Sequence, residues 1–188
     1  MIWKTIAGSF ALVAASEMGD KTMLLAFSLA GRFRRPWTVL LGIFVATLLN
    51  HALAASVGAW LAAHVPARTM AAVLAGSFIA FGIWALRPDH DADAQPGRFG
   101  PFVSTVVLFF LAEMGDKTQL ATLALGARFS SAILVALSTT AGMLAADSLA
   151  VFLGDKFASK VHARWLRVGT AGLFFLFGLL SAWSAVRG

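Results

Sequence analysis

The residues Glu17-Met18-Gly19-Asp20-Lys21-Thr22 return unchanged as Glu113-Met114-Gly115-Asp116-Lys117-Thr118, each copy inside a long apolar run. A charged side chain at the centre of a membrane-spanning helix costs about 2.5–3.5 kcal/mol even on the lenient insertion scale. Each copy brings three of them, which marks a working site. Side chains three and four apart share a helix face. On a continuous helix Glu17, Asp20 and Lys21 therefore project together, as do Glu113, Asp116 and Lys117. Thr22 and Thr118 lie toward the edge of that face and offer hydroxyl oxygens. Gly19 and Gly115 fall on the opposite side, where they allow close helix contact or a local break that frees carbonyl oxygens.

Where the two segments meet, four carboxylates and two lysines leave a net charge of −2. One divalent cation cancels it, and so do two protons. Such a site is near neutrality in either loaded state and strongly charged when empty, which is what an exchanger needs. Lys21 and Lys117 either neutralise the acids and lock the two halves together or compete with the cation during the cycle. Oxygen-rich carboxylate sites suit hard divalent cations such as calcium, magnesium or manganese. The chain has no cysteine, which weighs against zinc and copper(I). Met18 and Met114 adjoin the acids and either offer manganese a softer thioether contact or, pointing about 100° away from the glutamates on a regular helix, serve as packing or lipid-facing residues.

Other polar residues stand mid-span. Asn50 and His51 lie in the second apolar segment, Asp147 in the fifth, and a shift of 96 residues carries His51 onto Asp147. Histidine titrates near neutrality and an isolated intramembrane acid is costly, so either can relay protons. His51 also reads as a helix-bridging hydrogen-bond donor. Gln119 and Ser16 are expected to support the acids by hydrogen bonds. Asp89-His90-Asp91-Ala92-Asp93 reads as a solvated loop, and Asp155 and Lys156 as interfacial.

The elements that must position these groups follow from composition. The 188 residues are 59% hydrophobic and 13% charged, about half the charge of a soluble domain. Six apolar segments run over residues 2–30, 37–63, 70–86, 102–125, 132–157 and 166–186. Each is near or above the ~20 residues that span a bilayer as a helix, and lipid leaves unpaired backbone no alternative. The first run continues past Ala14-Ala15, so it reads as a span and not as a cleaved leader.

The chain is also a duplication. Between residues 17 and 33 the 96-residue shift matches ten of seventeen positions, and it superimposes Gly58 on Gly154, Gly76 on Gly172, Phe78 on Phe174, Phe81 on Phe177 and Gly82 on Gly178. Three spans per half, an odd number, invert the second half relative to the first. The expected fold is all-α, with six transmembrane helices as two inverted three-helix repeats: residues 1–86, a polar linker 87–101, and 102–188. Inverted repeats suit secondary transporters, whose sites form at the midplane. The formal charge of +6 resides in short loops and sets topology, with no call for nucleic acid. With Arg32, Arg34 and Arg35 inside, nine basic residues face the cytoplasm against four outside. Both termini are then expected outside the cytoplasm.

Two copies of Glu-x-Gly-Asp-Lys/Arg-Thr/Ser in a small six-span chain resemble the calcium:cation antiporter-2 family, which includes bacterial manganese exporters and Golgi calcium/manganese transporters. The resemblance covers the whole chain, and both motifs fit without departure. It implies divalent-cation/proton exchange with Glu17, Asp20, Glu113 and Asp116 as metal-binding residues. Lys21, Thr22, Lys117, Thr118, Asn50, His51, Asp147 and Gln119 stand as supporting or proton-coupling residues. The short chain looks like a bacterial member in the inner membrane, exporting manganese or calcium, with no organic cofactor and no enzymatic activity implied. The oligomeric state stays open. An intramembrane aspartyl protease would bury paired aspartates, but needs one of them protonated, and here a lysine follows each. A divalent-cation channel and a small organic-solute exporter are the remaining alternatives.

Overall fold

The computed structural model describes residues 2–86, 99–153 and 163–187. Among them every regular element is a helix: α1 (Ile2–Glu17), α2 (Lys21–Phe33), α3 (Pro36–His64), α4 (Ala67–Ala85), α5 (Pro101–Glu113), α6 (Lys117–Phe129), α7 (Ala132–Leu153) and α8 (Ala163–Arg187). Helices α3 and α4 and the stretch Ala132–Phe152 of α7 are each long and apolar enough to cross a membrane. The Asp89–Asp93 loop, Asp155 and Lys156 lie outside the described residues.

The expected continuous helix through each motif does not form. The first apolar segment divides into α1 and α2, and the fourth into α5 and α6. The cause is local. Gly19 and Gly115 take φ of 81° and 75°, a left-handed conformation that costs an L side chain roughly 1–2 kcal/mol and glycine almost nothing. The turn closes on itself: the Asp20 N–H donates to the Glu17 carbonyl at 3.0 Å and the Asp116 N–H to the Glu113 carbonyl at 3.1 Å. Each aspartate then stands in extended backbone as the N-cap of the next helix. Of the two roles open to these glycines, the structure uses the break. It also overturns the single shared face of Glu, Asp and Lys, since the residues now belong to two helices.

Helix α1 packs on α7 and α5 on α3, while α2 lies against α7 and α6 against α3. Helices α3 and α7 pack on each other, as do α4 and α8. Small residues set the closest approaches. A Cβ on Gly58 would stand 1.9 Å from the Leu123 carbonyl oxygen, and one on Gly126 would stand 2.4 Å from that of Ala55, so α3 and α6 touch backbone to backbone. The surface is apolar: Leu41, Leu53, Ile83, Leu111, Ile133 and Leu179 are exposed. Trp3, Trp37, Trp60 and Trp183 are exposed near helix ends, the place of an interfacial aromatic belt. The interior holds Glu17, Asp20, Asn50, His51, Glu113, Asp116, Lys117 and Asp147. Polar inside and apolar outside is the arrangement of a protein whose solvent is lipid.

Candidate functional site

The two helix breaks supply the site. Asp20 and Asp116 occupy N-cap positions yet make no side-chain capping bond. An N-cap carboxylate normally accepts the N–H two or three residues on, worth about 1 kcal/mol. Here each reaches across to the other motif instead. Lys117 Nζ stands 3.0 Å from Asp20 Oδ1, and Lys21 Nζ 2.9 Å from Asp116 Oδ1. The lysines therefore lock one half of the chain to the other, each on the aspartate of the opposite copy.

Glu17 lies at the centre of this arrangement. It accepts the hydroxyl of Thr22 on Oε2 and that of Thr118 on Oε1. Thr118 also approaches Asp116 Oδ2 at 3.2 Å. Glu17, Asp20 and Asp116, all buried, each offer a carboxylate oxygen within 4.8 Å of the others. That span is about twice a metal–oxygen distance of 2.3–2.6 Å, so the three oxygens fit around one hard cation.

Glu113 stands outside that trio. It is fully buried, its oxygens find no hydrogen-bond partner among the described residues, and His51 Nε2 lies 3.9 Å from Oε2. At that distance His51 is a neighbour of Glu113 and not the helix-bridging donor expected of it, and neither ring nitrogen has a hydrogen-bond partner among the described residues. Asp147 is also fully buried and without a hydrogen-bond partner among the described residues. Of the four carboxylates expected together, three form a close trio and Glu113 stands apart beside His51.

Asn50 and Gln119 brace the second break. Gln119 accepts the Gly115 N–H at 2.8 Å and donates to Asn50 Oδ1 at 3.3 Å, while Asn50 donates to the Phe110 carbonyl at 3.1 Å. The first break has a different brace, which the motif reading missed: the Gly19 N–H points at Met23 Sδ at 3.3 Å. The signal was present, because the 96-residue shift carries Met23 onto Gln119. Ser16 does not serve the acids; its hydroxyl donates to the Val13 carbonyl of its own helix at 3.0 Å. Met114 is 56% exposed and Met18 half-buried.

Comparison with known proteins bears out the resemblance drawn from the doubled motif. The family described as "Divalent cation/proton antiporter GDT1" matches residues 5–93 and 101–188. A Vibrio cholerae protein named "Putative manganese exporter" is 42% identical over 183 residues, covering 96% of this chain and 92% of the relative. A GDT1-like protein of Synechocystis is 28% identical, covering 93% of this chain and 95% of its own length. In Oryza sativa subsp. indica, GDT1-like protein 3 is 27% identical, over 96% of this chain and 74% of its own. No solved structure matches the chain.

Proposed function

Because the chain belongs to the GDT1 family of divalent cation/proton antiporters, we propose that it exports a divalent cation, manganese before calcium, from the cytoplasm in exchange for protons by alternating access. The observation that carries this is the trio of Glu17, Asp20 and Asp116, three buried carboxylates with oxygens within 4.8 Å. Thr22 and Thr118 hold Glu17 in place. Glu113 completes the acidic set from beside His51. The two lysines are resident cations: with them on the aspartates the acids are partly neutralised, and an arriving metal ion replaces an ammonium at a carboxylate. Protons then neutralise the same acids on the return. The name of the Vibrio relative supports manganese.

The cycle needs two inverted halves, residues 1–86 and 102–188 joined by 87–101, each of three spans with the motif helix broken at its centre. Reciprocal contacts support this reading. The pair Lys21–Asp116 is the 96-residue image of Lys117–Asp20. Thr47 donates to Met143 Sδ at 3.3 Å, and the Phe78 and Phe174 rings lie 6.4 Å apart. In both cases a residue touches its own counterpart, as happens on a two-fold axis. The basic residues of the loops support placement in a bacterial inner membrane with both termini outside.

The test is metal-dependent proton flux in proteoliposomes, comparing manganese, calcium and magnesium. Saturable manganese uptake coupled to proton movement is expected, with wild-type rates lost in Glu17→Gln. Metal flux with no proton movement, or a fast downhill current without saturation, would overturn exchange in favour of a channel.

A further inference from the structure

We propose that Lys21 and Lys117 are the two gates of the cation path, and that this conformation has the Lys21 gate open to water and the Lys117 gate shut. The inference rests on the exchanger reading above and adds which residues separate the site from each side.

The two crossed ion pairs are chemically identical and nearly equal in length, 2.9 and 3.0 Å. Their exposure differs. Lys21 is 23% exposed on Asp116 at 4%, whereas Lys117 is 4% exposed on Asp20 at 0%. An ammonium in the middle of an apolar chain does not face hydrocarbon, where it costs several kcal/mol. The exposed part of Lys21 therefore marks a water-filled approach. Met114, two residues before Asp116, is 56% exposed, while Met18, two residues before Asp20, is half-buried, so the two motifs differ in exposure in the same sense as the two pairs.

Inverted halves give this difference a direction. A two-fold axis lying in the membrane plane carries one ion pair onto the other and one membrane face onto the other. On this proposal the two ammonium groups, each on an aspartate of the trio, are set toward opposite faces of the membrane. A cation arriving past Lys21 meets Asp116, whose carboxylate makes no capping bond and is held there by an ammonium it can exchange for the metal. The buried ammonium of Lys117, held on Asp20 of the trio itself, closes the other way. Exchanging the environments of the two pairs opens the far side and closes the near one, with the same contacts made throughout. Two gates of equal chemistry also keep the two end states close in energy, which a cycling carrier requires.

The chain has no cysteine, so single cysteines can be placed against a silent background. Lys21→Cys and Lys117→Cys, in sealed vesicles of known orientation, would be treated with a membrane-impermeant methanethiosulfonate reagent carrying an ammonium. Lys21→Cys should be modified from one side only. Lys117→Cys should be unreactive or be modified only from the opposite side, and at least tenfold more slowly. Met114→Cys and Met18→Cys, outside the ion-binding machinery, carry the same comparison should the lysine variants fail to fold. Modification of both members of a pair from the same side, or of neither member from either side, would overturn the proposal. Wild-type metal-driven proton flux is measured alongside. Flux with same-side labelling removes the gates and leaves the exchanger. No flux with manganese, calcium or magnesium removes the exchanger itself, whatever the labelling.

Discussion

Glu17 sits between two threonine hydroxyls, one from each half of the chain. Glu113, its counterpart 96 residues on, has no hydrogen-bond partner among the described residues and faces His51 at 3.9 Å. The six-residue motifs around them are identical, so the difference comes from outside the motif. His51 answers to Asp147 in the other half, Gln119 to Met23, and Asn50 to Ala146. At each of these positions the duplication has diverged, and His51, Gln119 and Met23 each adjoin a motif. Identical motifs in unlike surroundings thus leave one acid fixed among oxygens and the other held apart beside a histidine.

The largest effect expected from this asymmetry is on stability. Removing one partner of a buried ion pair costs roughly 3–5 kcal/mol. Lys117→Met should approach that range, because Asp20 is fully buried. Lys21→Met should cost less than half as much, because Lys21 is partly exposed in its pair. Thermal unfolding in detergent, at fixed protein and lipid, reads both. Equal losses would break the comparison.

Metal affinity should come next. Glu17→Gln removes a charge from the trio and turns an acceptor of two hydroxyls into an amide that accepts on one side only. A loss of about 3 kcal/mol, on the order of 100-fold in Kd, is expected by calorimetric titration with manganese. Glu113→Gln should lose less than roughly tenfold, since its oxygens lie outside the close group. If Glu113→Gln lost as much as Glu17→Gln, the four acids would act as one site and the distinction between the two glutamates would fail.

Much of this was legible in the chain. The apolar runs dictated helices, the repeat put the two motifs in like segments, and the cost of charge in lipid drew attention to Glu17, Asp20, Glu113 and Asp116, of which the structure groups three. The break was not dictated. A Gly with charged neighbours is compatible with a continuous helix, and periodicity carries no mark of φ. That single uncertainty propagated: with the helix intact, Lys21 belongs beside Asp20, whereas the left-handed turn re-aims it onto Asp116. The contact of His51 with Glu113 was hidden for a different reason. Sequence gave the residues and their shift-related partners, but which glutamate each one meets depends on how α3 packs on α5 and α1 on α7. Gly115→Ala tests the cause of the break directly. Nothing lies within 4 Å of the added Cβ, so the expected cost of about 1–2 kcal/mol is backbone strain alone.

The smallest expected effect lies in the braces of the two breaks. The Gly115 N–H has an amide oxygen at 2.8 Å, and the Gly19 N–H a thioether sulfur, a weaker acceptor, at 3.3 Å. Gln119→Met would make the second brace like the first. It would also release Asn50 Oδ1 from the Gln119 amide, leaving Asn50 held only by its bond to the Phe110 carbonyl. One net hydrogen bond is worth about 1 kcal/mol, which sets the expected loss of stability on detergent unfolding. Adding Met23→Gln should not recover it. Ala146, the counterpart of Asn50, has no side-chain carbonyl to receive the new amide, and Met23 is buried, so the introduced NH2 would meet no such partner there. The exchange of braces is therefore expected to lose stability in both directions, and a neutral Gln119→Met would mean that the glycine turn holds the break unaided.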